Sequence, residues 1–241
     1  MKITRNGFLY QVAFMPRFFP VNCYLVEEES ELTLIDAALP FSVKGILQAA
    51  EGIGKPITRI VLTHAHGDHV GALDGLKKVL PQAGVYISRR DAKLLAGNVE
   101  LEAGEAQTPI KGGIPKGVQT KPDVLLEEGD RVGSLQAIAT PGHTPGSMSF
   151  LDVRSGALIA GDALQVRGGA AVSGVVKWGF PFPAMATWSK EASLASARKM
   201  KQLEPSLLAV GHGRMIEHPA AIMDAAIEEA TAKFHGATAT I

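Results

Sequence analysis

The sequence predicts an α/β protein in which two mixed β-sheets pack together and are covered by helices. Short runs rich in β-branched and aromatic residues alternate with helical patterns along most of the chain. These runs outnumber the strands of a simple βαβ repeat, so one parallel sheet does not accommodate them. No linker divides the 241 residues cleanly, and a single domain over 1–241 is expected.

The elements follow in order. FLYQVAF, NCYLVEE and ELTLIDA read as strands separated by turn or polar residues. Pro40 opens a helix expected over 41–51, with Gly52 and Gly54 stopping it. ITRIVLTH is a buried strand ending at His64, and GALDGLKKVL a helix terminated by Pro81. GVYIS is a strand, after which Ser88 caps the helix RRDAKLLAG. Residues 97–121, with seven Gly and Pro, are too long for a simple connector and read as a lid or binding loop, or else as a surface insertion. VLLEEGD and VGSLQAIAT return to strand character, and SMSFLDVRSGALIAGD forms a hairpin. A second irregular stretch, 165–188, carries Trp178, Phe180, Phe182, Met185 and Trp188. A helix over roughly 190–203 precedes Pro205, SLLAVGHG is a strand, and Pro219 opens a last helix reaching about residue 234.

Composition excludes several classes. Lys plus Arg and Asp plus Glu are 24 each, so the zero formal charge makes no case for nucleic acid or an anionic membrane. No stretch approaches eighteen uninterrupted apolar residues, and no signal core forms before Gln11, Pro16 and Arg17. The lone Cys23 forms no internal disulfide, reads as a small buried residue, and fits a reducing, cytoplasmic location.

The strongest chemical signal is THAHGDHVG, residues 63–71, which sets His64, His66, Asp68 and His69 on a strand-to-helix loop. Such loops at the carboxyl ends of strands favour functional sites. Asp68 and His69 are adjacent, so their side chains diverge, and four ligands aimed two ways suggest two metal positions. His143 in TPGHTPG, Asp162 in IAGD and His212 in VGHG each follow an apolar strand beside glycine. Taken singly, each has an ordinary reading as a loop, turn-capping or packed residue; together with the cluster they complete a dinuclear set. His218 and His235 lie near helix ends and read as surface residues.

HAHGDH at 64–69 matches the H-x-H-x-D-H signature, so the chain resembles the metallo-β-lactamase superfamily in its glyoxalase II-like and lactonase-like branches. His143, Asp162 and His212 match the remaining ligand motifs in order, over about residues 20–215. The resemblance implies an αββα sandwich with its site at one edge of the two sheets. It assigns His64, His66 and His143 to a first metal, Asp68, His69 and His212 to a second, and Asp162 to a bridge. Asp36 would orient a histidine, with a cap for the following helix as the alternative.

The function expected is metal-dependent hydrolysis by a hydroxide activated on two divalent ions, zinc by donor chemistry and resemblance, with iron or manganese able to use the same donors. Asp68 would also help relay the proton. A small-molecule substrate with a partly apolar ester, lactone or thioester is expected, and a homodimer is open. The aromatic stretch 165–188 would line the substrate pocket, or pack against the last helices, or form a dimer surface. Asp162 disfavours a β-lactamase, Gln165 stands where quorum-quenching lactonases carry tyrosine, and a single helix after His212 is less than glyoxalase II carries. The alternatives are a β-lactam hydrolase, a mononuclear iron persulfide dioxygenase, which shares the first-site histidines, and a non-catalytic metal-binding protein.

Overall fold

The structure, a computed structural model, describes residues 1–236. A seven-stranded sheet runs in sequence order through β1 (Lys2–Asn6), β2 (Leu9–Phe14), β3 (Val21–Glu27), β4 (Leu32–Ile35), β5 (Ile57–Val61), β6 (Gly84–Ser88) and β7 (Val124–Leu126). Its first four strands pair antiparallel and the rest parallel. The parallel part needs crossovers, supplied by α1 (Val43–Ile53), by α2 (Gly67–Val70) with α3 (Leu73–Val79), and by α4 (Arg89–Leu95). The second half adds β8 (Arg131–Val132), β9 (Leu135–Ala139), β10 (Met148–Asp152), β11 (Ala157–Ile159), the two-stranded β12 (Leu164–Gln165) and β13 (Ala171–Val172), β14 (Leu207–Ala209) and β15 (Ile216–Glu217). Six of these form a sheet in the order β15-β14-β11-β10-β9-β8, parallel only between β11 and β14. Helices α5 (Phe182–Met185), α6 (Lys190–Gln202) and α7 (Ala220–His235) complete the chain.

The alternation of strand side chains builds the layers. In β3, Tyr24 and Val26 pack toward the second sheet, against Leu135, Phe150 and Leu207, whereas Cys23 and Leu25 join Ile46, Leu73 and Leu94 of the helices. In β14, Leu207 and Ala209 face the first sheet, and Leu208 with the following Val210 faces Leu194, Met200 and Met223 of α6 and α7. Three apolar layers therefore separate four layers of backbone, helix–sheet–sheet–helix. Burying one such side chain contributes about 1.5–3 kcal/mol, so a one-residue slip in β3 or β14 would exchange two layers at once.

The elements depart from expectation at their edges. Helix α1 starts at Val43 after a 3₁₀ turn, Pro40–Ser42, keeps Gly52 inside, and ends on Gly54 at φ 82°. The β5 ladder stops at Val61, three residues short of His64, and the motif itself holds the helical turn α2. Ser88 caps α4 by accepting from the amide of Asp91. Residues 97–121 contain no helix or strand, but they are pinned: Ile110, Ile114 and Val118 pack on the first core layer, and Asp74 accepts from the amides of Gln119 and Thr120. Among the described residues no helix is long and apolar enough to cross a membrane.

Candidate metal centre

Four loops at one edge of the sandwich bring the seven residues together. The loop after β5 carries His64, His66, Asp68 and His69, the turn between β9 and β10 carries His143, the 3₁₀ turn after β11 carries Asp162, and the loop after β14 carries His212. The ligand-capable atoms of His64, His66 and His143 lie within 4.8 Å of one another, as do those of His64, His69 and Asp162 and those of Asp68, His69 and His212. Asp162 lies between the groups: Oδ2 is 3.5 Å from His143 Nε2 and 3.1 Å from His212 Nε2, and Oδ1 is 3.4 Å from His69 Nε2. Five of the chain's seven histidines are here; His218 is exposed and belongs to none of these groups.

The outward nitrogen of each ring decides where its proton sits. His66 Nε2 donates to the carbonyl of Lys111 at 2.9 Å, His69 Nδ1 to Asp36 Oδ2 at 2.8 Å, and His212 Nδ1 to the carbonyl of Pro20 at 2.7 Å. Thr63 gives its single hydroxyl proton to Asp36 Oδ2, so it accepts from His64 Nδ1 at 3.0 Å. His143 Nδ1 meets Ser173 Oγ at 2.9 Å. The five inward nitrogens converge on one small space: those of His64, His66 and His143 face it with lone pairs when the outward nitrogen carries the proton, and those of His69 and His212 do so once they lose the second proton that Asp162 holds on them. Nδ1 of His66 and Nε2 of His143 stand 2.9 Å apart there, a contact that a proton on His143 Nε2 or a cation between the two would satisfy. His64 Nε2, His69 Nε2 and Asp162 Oδ1 are buried with no hydrogen-bond partner. Buried polar atoms left without partners in this way are costly unless a cation satisfies them, so the residues fit bound metal.

Charge divides the set. Burial, reinforced by neighbouring imidazoles, pushes His64 and His66 below the ordinary imidazole range and His143 down to about 3, so these rings are neutral. Burial also opposes charge on His69 and His212, but the Asp162 carboxylate outweighs it, holding His69 well above its usual value and His212 up to about 10. Asp162 and Asp68 are held far below the usual carboxylate range by those same two histidines, despite burial. Asp68 is the most open of the seven, with its side chain 28% exposed.

Asp36, at φ 62°, accepts from the amide and hydroxyl of Thr63 and from His69, so it orients two rings: one directly, one through a threonine. Asp91 was not singled out by sequence. Its buried carboxylate accepts from the amide of Ala65, between His64 and His66, and from Thr144 Oγ1 and the amide of Gly146, flanking His143. One carboxylate thus clamps both loops of the first group. The only sequence trace of it is Ser88-x-x-Asp91, a capping pattern. Gly112, at φ 95°, lies so close that a Cβ there would overlap His66 Nε2, and a Cβ on Gly211 would overlap Asp162 Oδ1. Gln165 is buried and spends its amide nitrogen on the carbonyls of Arg167 and Phe180. The aromatic stretch divides: Phe180 and Trp188 are buried, while Trp178, Phe182 and Met185 are exposed. Phe180 and Phe182 join Phe19, with ring centroids 5.0 and 4.9 Å from it, and Phe19 and Phe180 stand 5.6 and 5.1 Å from His212.

A model of the metallo-beta-lactamase superfamily matches residues 16–212, and the chain belongs to that superfamily. It is 60% identical over 230 residues to the uncharacterized protein YobT of Bacillus subtilis (strain 168), covering 95% of this chain and 99% of that one. It is 30% identical over 214 residues to the probable metallo-hydrolase YflN of the same organism, covering 80% of each chain. Among solved structures it is similar to TTHA1623 in a di-iron-bound form, with TM-score 0.63 and 28% identity over 87% of this chain and 95% of that one.

Proposed function

We propose that the chain is a metal-dependent hydrolase acting on an ester, lactone or thioester bond of a small, partly apolar substrate. His64, His66 and His143 would hold one divalent cation, Asp68, His69 and His212 a second, and Asp162 both. The single observation that carries this reading is the convergence of five inward imidazole nitrogens and the orphaned Asp162 oxygen on one space. When bound, such ions supply a water acidified to near neutral pH and positive charge for the polarised substrate oxygen. Zinc suits the imidazole and carboxylate donors, and similarity to a di-iron-bound protein supports iron as the second candidate.

The chain's own residues supply the rest. Asp36 and Asp91 fix the ligand loops before substrate arrives, so little reorganisation accompanies reaction. Asp68, the ligand carboxylate most open to solvent, would accept a hydrogen bond from incoming water and pass its proton outward. Phe19 and Phe182, beside His212, would take the apolar part of the substrate. The test is a panel of ester, thioester, lactone, lactam and phosphodiester substrates, assayed with zinc- and iron-loaded protein of measured metal content. Turnover confined to the ester, thioester and lactone substrates is expected; no turnover on any of the five would remove the hydrolase reading.

A further inference from the structure

The outward partner of the His143 ring leads further, into the irregular stretch before α6. Ser173, just after β13, and Thr187, just after α5, are both buried side chains in the irregular stretch between β12 and α6. His143 Nδ1 is 2.9 Å from Ser173 Oγ, Ser173 Oγ is 2.7 Å from Thr187 Oγ1, and Thr187 Oγ1 is 2.8 Å from the carbonyl of Pro183 within α5. A carbonyl only accepts, so Thr187 gives its one proton to Pro183. Thr187 therefore accepts from Ser173, and Ser173, its proton spent, accepts from His143. Followed from its far end, the chain leaves the proton on Nδ1 and the lone pair on Nε2, facing Asp162 and opposing the pull of the His66 Nδ1 acceptor 2.9 Å away. The backbone makes the same connection: the amide of Trp188 donates to the carbonyl of His143 at 3.0 Å, and that of Ser189 to Gly142 at 2.9 Å.

We propose that Ser173 and Thr187 are positioning residues that lock His143 as its Nδ1–H tautomer, so that cation affinity at the His64–His66–His143 group depends on the seating of the Phe182–Met185 turn. Removing the Thr187 hydroxyl frees the Ser173 proton to turn back toward His143. The opposite tautomer then gains, with its proton on Nε2 where a cation has to sit. Removing the Ser173 hydroxyl leaves Nδ1 without a buried partner. Because Phe182 belongs to the same turn, a substrate that shifts it changes cation affinity, and the cation changes substrate affinity by the same factor. The affinity half of this inference rests on the metal centre proposed above; the tautomer half does not.

The test uses the full chain labelled with 15N-histidine, and Ser173→Ala, Thr187→Val and Thr187→Ser. Long-range 15N–1H spectra of the metal-free protein read which nitrogen of His143 bears the proton, and competition against a chromogenic chelator reads zinc affinity. The wild type is expected as Nδ1–H. Ser173→Ala and Thr187→Val should each give a mixture of tautomers and zinc binding at the first group weaker by about 10- to 100-fold, and Thr187→Ser should restore both. If Ser173→Ala fails to fold, the Thr187 pair decides. Retention of Nδ1–H with unchanged zinc affinity in Thr187→Val would overturn the proposal. A wild type that binds no zinc would overturn the metal centre and the affinity half with it, while the spectra alone would still decide the tautomer.

Discussion

His66 Nε2 donates to the carbonyl of Lys111, so a loop with no helix or strand of its own fixes the tautomer of a ring in the metal centre. The approach requires Gly112, which combines φ 95° with a position where any Cβ would meet His66. Gly112→Ala must strain the backbone, displace the ring, or both. The expected result is a loss exceeding about 1 kcal/mol of stability and first-group zinc binding weaker by about tenfold or more. Thermal unfolding with and without zinc checks both; unchanged affinity would mean that the loop covers His66 without orienting it.

The division of charge among the histidines predicts unequal proton release. His64, His66 and His143 are already neutral, so filling their group should release no proton. His69 and His212 are held protonated at neutral pH by Asp162, and must lose those protons to become ligands, so filling their group should release up to two. Titration calorimetry in buffers of different ionisation enthalpy separates the two events. The metal-free protein should also respond to alkali. The folded value of His212, about 10, lies above its ordinary 6.5, so the stabilisation its pairing gives is complete below 6.5 and lost as pH rises through about 10. The unfolding temperature of metal-free protein should fall over that window. Equal proton release at both groups would contradict the charge assignment.

All seven inward residues were legible in the sequence because each follows an apolar strand and stands beside glycine or within HAHGDH, so strand periodicity located them before any contact was known. The sandwich was legible for the same reason: β3 and β14 alternate between two cores. What holds the ligands was not legible. Lys111 acts through a backbone carbonyl, which any residue carries, and Asp91, Ser173 and Thr187 reach the site only through tertiary contacts between loops far apart in sequence. The edge strands β1 and β15 were missed because KITRN is polar and exposed, and Ile216–Glu217 is too short for a period.

Asp91 offers a test of the clamp. In Asp91→Asn one oxygen becomes an NH2 group, which must face the amide of Gly146 or the donors Ala65 and Thr144, leaving donors opposed. A loss of about 1–3 kcal/mol is expected for the buried donor left unpaired, with reduced metal retention at the His64–His66–His143 group. The pH dependence has a definite sign. Burial raises Asp91 from 3.8 to about 6, so its contribution is greatest below 3.8 and declines as pH rises through about 6. Asparagine does not titrate there. The stability difference between wild type and Asp91→Asn should therefore shrink between pH 4 and pH 7, as read by denaturant unfolding of metal-free samples. A difference that grows over this range would show that the carboxylate is held ionised by its three donors.

Exposure separates the aromatic residues of 165–188 into two tests. Phe180 and Trp188 are buried, so truncating either should cost about 3–5 kcal/mol through the cavity left behind. Trp178 is 92% exposed and Phe182 half-exposed, so Trp178→Ala and Phe182→Ala should leave the unfolding temperature nearly unchanged. If they face substrate, the loss appears in discrimination instead. One methylene in an apolar contact is worth about 1–3 kcal/mol of selectivity, so the ratio of kcat/KM between long-chain and short-chain acyl esters should fall for both variants. The effect should be larger for Phe182, whose ring packs on Phe19 beside His212, than for Trp178. A chain-length profile identical to wild type in Phe182→Ala would take these rings out of the substrate wall. Concentration-dependent sedimentation that vanishes in Trp178→Ala would instead make that side chain part of a contact between two copies of the chain.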